Sequence, residues 1–404
     1  MPSSQGDPPR FTRVDWAAES AGLRRPRTRT VGLVVAALLL FAFLTYDLVV
    51  APEELVAELH WDVSRMDWLS LAALVVFGRY VVLPLGVNRS RTAAQARRFL
   101  SRPAGALSLL LLVLLTIFAL LGPPLLDQGY PRLADRLQPP AFSGVQVADL
   151  GMYYECAGQM VDGACQGTWK YPLGTTRIGE DLVLLLARGT RIALAIGFAT
   201  AIVMGLVATV VGTTAGYFGG WVDDVLMGYV DVQQTIPAIV VYIILSMLFL
   251  GRMAGTTEGG LFALALVFGL LDWGGIARIV RSEVMARRSA GYINAAKAAG
   301  ASDLHVIRRH VIPNSTGTIV TALTRRIPLL ILAQTGLAYL GLNRAGSKSL
   351  GRVLTIGLDG NHMVWHRKWW ISAFAVITLV LIVLAFTVFG DEVREVVDPV
   401  EEVK

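Results

Sequence analysis

Long apolar runs separated by short polar ones set the pattern of this 404-residue chain. A bilayer core is crossed by about twenty consecutive apolar residues in a helix. Runs of that length lie near residues 31–51, 68–87, 105–125, 190–215, 228–250, 260–280, 317–341 and 370–389. They predict an all-α, polytopic membrane protein with about eight transmembrane helices. The polar intervals predict the remaining organisation: an N-terminal arm over 1–30, a two-span extension over 31–104 and a core over 105–404. Within the core, 126–188 is rich in Pro, Gly and polar residues and reads as a small ordered cap, and 281–316 is a charged loop.

Composition and charge sharpen this picture. Hydrophobic residues make up 54% of the chain and charged residues only 16%, which excludes an ordinary soluble domain. The net charge of +6 does not point to nucleic acid, because the basic residues flank apolar runs and serve to orient them. Arg89, Arg91, Arg97, Arg98 and Arg102 place the 88–104 loop on the cytoplasmic side; Arg281, Arg287, Arg288, Lys297, Arg308 and Arg309 do the same for 281–316. The acidic 52–67 loop, with Glu53, Glu54, Glu58, Asp62 and Asp67, falls outside, and both termini are then cytoplasmic. One loop dissents: 342–369 falls outside yet carries Arg344, Lys348, Arg352, Arg367 and Lys368. The first apolar run begins only at Val31, so no cleavable leader is expected.

Candidate chemistry is sparse. Two cysteines exclude a disulfide-rich scaffold and a four-cysteine metal site. Cys156 and Cys165 share the 126–188 cap, which the same topology places outside, where a disulfide and two free thiols both fit. No His-Glu-x-x-His motif occurs, no metal site or catalytic set assembles, and no enzyme activity is expected. Gly341 to Ser349 imitates a phosphate-binding loop, but Ser347 intervenes between Gly346 and Lys348 and an apolar run precedes it, not a strand. The chain is therefore expected to hold no nucleotide itself. Glycosylation sequons at Asn88 and Asn314 fall on the cytoplasmic side and read as chance.

Charges inside apolar runs carry more information, since burying one in lipid costs at least ~2.5 kcal/mol. Asp272 lies in the sixth run, and Arg325 and Arg326 lie about the middle of the seventh. With Gln334 they are the candidates for a transport pathway. An Asp–Arg pair that packs helices and an Arg facing a water-filled pathway both fit. Adjacent helical residues point about 100° apart, so Arg325 and Arg326 should meet different surroundings.

The densest signal is Tyr292 to Pro313. Ile293, Ala296, Gly300, Leu304, Ile307 and Val311 recur at steps of three or four and predict one helical stripe. Gly300 predicts a helix stop, Ser302 and Asp303 the start of a second short helix, and Pro313 its end. Ala295, Ala296, Ala298, Ala299 and Gly300 would let another protein's surface approach closely. An ordinary polar loop capped by short helices is the plainer reading of the same pattern.

This segment resembles the "EAA" loop of ATP-binding-cassette importer permeases: Ala295, Ala296, Gly300, Ile312 and Pro313 hold its spacing, while Asn294 replaces its Glu and His310 stands at an Ile position. The resemblance continues in Tyr171-Pro-Leu-Gly-Thr175 with Gly179 and Asp181, in Ala215 to Asp223, in Val230-Asp231 ahead of Pro237, in Gly336 to Leu342, and in Gly390-Asp391, Arg394 and Asp398-Pro399. Together these are similar to the second, "C"-type permease subunit of dipeptide, oligopeptide and nickel importers. The resemblance implies alternating access, driven by two cytoplasmic ATPases that bind ATP and Mg, in a heterodimer with a second permease subunit. It also implies an extracytoplasmic solute-binding protein as partner, the plasma membrane as location, and peptides or similar small solutes as cargo. It assigns ATPase coupling to Asn294, Ala295, Ala296, Gly300, Ala301, Asp303 and Pro313. The rival is a self-contained secondary transporter or channel, in which 292–313 would couple to nothing. Residues 1–104 have no counterpart in the typical six-span subunit.

Overall fold

The computed structural model describes residues 89–126, 131–146, 155–250, 260–342, 348–358 and 368–397, with Ala42 and Trp68. The arm over 1–30 and nearly all of the expected spans at 31–51 and 68–87 lie outside the described residues. The chain divides into two units, Met1–Pro52 and Glu53–Lys404, and the helical bundle belongs to the second.

Helix α1 (Arg89–Ser101) gives way at Arg102 to α2 (Pro103–Leu126), whose proline occupies a first turn that needs no N–H. Arg102 also ties this corner to the far end of the last helix, contacting Glu392 at 3.1 Å and Glu395. Among the described residues the longest single helix is α3 (Leu182–Phe218), whose 37 residues exceed the expected 190–215. At about 1.5 Å per residue it runs roughly 55 Å, well beyond a ~30 Å bilayer core. Asp181 starts it by accepting the Val183 N–H at 2.8 Å, and Gly219, at φ +68°, stops it.

The runs at 228–250 and 260–280 do not form straight spans. Each is a bent pair. Helix α4 (Gly220–Thr235) meets α5 (Ala238–Leu245) at 72°, because Pro237 lacks an N–H and forces Ile236 into an extended conformation. Helix α6 (Leu261–Leu271) meets α7 (Gly274–Arg288) at 45°, with Asp272 outside helical geometry at the break. Among the described residues, four unbroken helices and these two pairs give up to six crossings.

After α8 (Gly291–Ala298) comes α9 (Asp303–Val306), a widened turn over Ile307–Val311, and α10 (Ile312–Tyr339). The last three form one 37-residue rod, Asp303–Tyr339. The expectation that Pro313 ends a short helix is therefore corrected. Pro313 sits in the first turn of α10, directly after the widened turn, where its missing donor leaves no bond unmade. Helices α11 (Leu350–Leu358) and α12 (Trp369–Val397) complete the set.

Helix α3 is the hub, with α2, α6, α7 and α10 packed around it. Gly212 and Gly216 bring it against α7: a Cβ on either would lie 2.5 Å from the Ala277 carbonyl or 2.7 Å from that of Arg281. Their GxxxG spacing, weak in a chain with 40 glycines, marks a real close approach. The described part of the dissenting 342–369 loop lies at the cap end of the bundle, and its Lys368 is only 1% exposed, donating to the Ile356 carbonyl at 3.1 Å. That cation belongs to the packing and carries little weight as an orientation signal.

The cap holds a small antiparallel sheet ordered β1 (Gly144–Gln146), β3 (Ala164–Gln166), β2 (Met160–Val161), with Cys165 opposite both Val145 and Met160. Cys165 is buried and bonded to Cys156 as a disulfide. Replacing both by serine should cost the cap about 2–3 kcal/mol, the entropy of reopening so short a loop. Limited proteolysis should then nick 155–170 in the variant but not in the parent; equal resistance would show the bridge to be dispensable.

The Tyr171–Asp181 stretch fastens this cap to the bundle. Trp370 at the head of α12 donates its indole N–H to the Thr175 carbonyl at 3.2 Å, and the Thr175 hydroxyl donates to the Asp135 carbonyl at 2.6 Å. Gly179 stands at φ +83°, and a Cβ there would lie 2.0 Å from the Arg132 carbonyl. Gly179→Ala should cost at least ~1–2 kcal/mol from backbone strain alone, before the collision is counted. Its yield as a monodisperse peak in mild detergent should fall well below that of the parent.

Candidate functional site

The 291–313 segment forms an elbow at the end of α3 opposite the cap. Helix α8 stops as its sequence predicts: Gly300 takes φ +82°, its N–H bonds the Lys297 carbonyl at 2.9 Å, and the Ala301 N–H bonds the Ala296 carbonyl at 3.0 Å. This pair of bonds satisfies the last carbonyls of α8 and requires a left-handed residue. A Cβ at Gly300 would meet nothing within 4 Å, so backbone conformation, not space, demands the glycine. Ser302 takes the extended conformation of a helix cap, but its hydroxyl makes no capping bond, contrary to the expectation.

Ile293, Val306 and Val311 are fully buried and seat the elbow, with Ala296, Ala301 and Ile307 half-buried beside them. Leu304, expected on the buried stripe, is 56% exposed. The break at Gly300 resets the helical phase, so Val306 takes the inward place. Asn294, Ala295, Ala298, Ala299 and Gly300 are exposed, a surface of methyl groups and backbone with one carboxamide. Pro313 is exposed in the first turn of α10. Asp303 is exposed but engaged: it accepts the Tyr217 hydroxyl at 2.6 Å and lies 3.8 Å from the Lys297 ammonium, which stands 4.6 Å above the Tyr217 ring.

Behind the elbow, ion pairs bolt α7 to α4. Arg281 grips both oxygens of Asp223 at 2.5 Å, and Arg278 pairs with Asp231. Arg288 donates to the Gly216 carbonyl at 3.1 Å. The stretches around Asp223 and Asp231 thus have a structural use, and their arginine partners escaped the sequence reading. No local spacing links residues 58 apart such as Asp223 and Arg281.

The four pathway candidates separate. Arg326 pairs with Asp272 at the α6–α7 break through two contacts, Nε to Oδ2 at 3.1 Å and Nη2 to Oδ1. Arg325 points elsewhere, 3.5 Å from Asp391. Asp391 is the first charge after the apolar stretch of α12, so Arg325 sits toward the elbow side of the apolar layer and not at its middle. Gln334 is 1% exposed within the bundle.

Two comparisons bear on this arrangement. The sequence profile of the family described as "Binding-protein-dependent transport system inner membrane component" matches residues 208–400, which contain the elbow, both bent pairs and the ion pairs. The oligopeptide transport system permease protein OppC of Mycobacterium tuberculosis is 30% identical over 313 residues, covering 77% of this chain and 95% of the relative. The chain belongs to this permease family. The OppC of Escherichia coli K12 is 29% identical over 313 residues, 77% of this chain and 92% of that one. The dipeptide transport system permease protein DppC of Bacillus subtilis is 31% identical over 227 residues, 56% and 68% of the two chains. The protein is thus a multi-pass permease subunit of an ATP-binding-cassette importer, and not a self-contained transporter or channel. The family is one of transport permeases and works with an ATPase and a binding protein.

Proposed function

We propose that this subunit carries peptides inward across the plasma membrane, paired with a second, related permease. Two cytoplasmic ATPases, which hold the ATP and Mg, drive it, and an extracytoplasmic binding protein loads it. Both termini lie in the cytoplasm. The peptide cargo rests on the oligopeptide and dipeptide permeases to which the chain is similar.

The observation that carries the coupling role is the elbow. Its exposed surface of small residues is the kind that enters a partner's groove closely, and it stands on one rod, Asp303–Tyr339, that continues into the membrane. A push on such an elbow moves a span. ATP binding would swing the pathway open to the loaded binding protein, and hydrolysis would reset it. In this reading Asn294, Ala295 and Gly300 meet the ATPase, whereas Ala296, Ala301 and Asp303 hold the elbow to its own bundle.

The test is purification of the chain in mild detergent with its partners, then reconstitution in vesicles with the binding protein inside or out. ATPase subunits and a second permease should co-purify, and a labelled short peptide should accumulate only with ATP. Peptide uptake by the purified chain alone would sink the proposal.

A further inference from the structure

We infer that Tyr217 is the residue that positions the elbow against α3, so that displacement of the elbow is passed to that helix and not absorbed between them. The inference rests on the reading of the elbow as the ATPase-coupling element and concerns how its movement leaves the elbow.

The elbow is seated on the bundle mainly by apolar contact through Ile293, Val306 and Val311. Apolar contact is non-directional and allows packed surfaces to slide. A hydrogen bond fixes distance and angle, and one to a carboxylate is about twice as strong as a neutral one. The Tyr217 hydroxyl makes such a bond to Asp303 at 2.6 Å, at the first residue of the Asp303–Tyr339 rod. The Lys297 ammonium above the Tyr217 ring at 4.6 Å, and 3.8 Å from Asp303, brings the last turn of α8 to the same point. One phenol therefore touches both arms of the elbow, one on each side of Gly300.

Tyr217 is also placed to use what it receives. It lies in the last turn of α3, next to Gly216, whose backbone is pressed against α7 and whose carbonyl accepts from Arg288. Helix α3 is the hub of the bundle and runs unbroken to Asp181 beneath the cap. A shift imposed at Tyr217 thus reaches the opposite end of the molecule along one rigid element. None of these contacts was visible in the sequence, where Tyr217 is 86 residues from Asp303.

The experiment uses the whole complex in vesicles and the variant Tyr217→Phe, which keeps the ring beneath Lys297 and removes only the hydroxyl. Four quantities are read: assembly, basal ATP hydrolysis, hydrolysis stimulated by peptide-loaded binding protein, and peptide moved per ATP. The expected result is unchanged assembly and basal hydrolysis, with peptide moved per ATP down about tenfold, the scale of one lost hydrogen bond to a charged group. Adding Tyr217→Phe to Asp303→Asn should cost less than it does in the parent, because the two changes weaken one bond. A parental ratio of peptide to ATP in Tyr217→Phe overturns the inference, and so does a parallel fall in assembly, which would make the bond merely structural. A parent chain that binds no ATPase overturns the coupling reading itself, and this inference with it.

Discussion

Asp272→Ala should destabilise the protein by about 2 kcal/mol and reduce the assembled fraction, with a larger effect than Arg326→Ala. Breaking a buried ion pair costs ~3–5 kcal/mol because an unpaired charge remains, and the partial exposure of this pair trims that figure. The Arg326 and Asp272 side chains are 35% and 20% exposed. The two variants differ because of what is left behind. A stranded carboxylate can take up a proton and become neutral, whereas a guanidinium keeps its charge at any pH a protein survives. The pair also sits where α6 has lost its helix, so Arg326 closes a break whose backbone has fewer bonds of its own. Exchange of the two residues, Asp272→Arg with Arg326→Asp, should recover most of the loss. Thermal unfolding in detergent, read alongside size-exclusion profiles, checks all three variants. Equal midpoints for parent and Asp272→Ala would remove the pair from any account of stability.

Ala295→Glu should lower binding-protein-stimulated ATP hydrolysis about tenfold or more while leaving the chain folded and inserted, because an interface that closes over an unpaired charge pays its full desolvation. Ala295 is exposed on α8 and contributes to no core, so the substitution should change the stability of the subunit itself by less than ~0.5 kcal/mol. Gly300→Glu should be as damaging to coupling but for two reasons at once. It adds charge to the same surface, and it forces a left-handed backbone on a residue with a Cβ, at ~1–2 kcal/mol. Gly300→Ala separates the two, since it carries the strain without the bulk. Co-purification of the ATPase and its stimulated hydrolysis are the measurements. Parental values for Ala295→Glu would show that this surface is not where the ATPase docks.

The elements of this protein that arise from local chemistry were legible in its sequence. Apolar run lengths gave the span at 105–125 to within two residues and placed those at 190–215 and 370–389, because the bilayer fixes the length of the apolar part of a crossing helix, although both of these helices run eight residues further at one end. Gly300 marked the end of α8 because only a residue free of a Cβ takes φ +82° without cost. The charges of Asp272, Arg325 and Arg326 stood out in their apolar runs as candidates for either an ion pair or a water-filled pathway, and the 100° between adjacent residues gave the two arginines different surroundings. Tertiary structure decided the rest. Pro237 bends its span where Pro313 is absorbed in a rod, and the difference lies in position within the turn and in the widened turn before Pro313, not in residue type. Leu304 turns outward because the break at Gly300 discards the phase on which a stripe is counted, whereas Ala296, in phase with Ile293 before the break, keeps its inward place. Arg325 takes Asp391 and Arg326 takes Asp272, and Tyr217 takes Asp303, across separations of tens of residues. Periodicity reports only what neighbours in the chain impose on one another. Which distant side chains meet depends on how the finished helices pack around α3, and no short stretch of sequence encodes that.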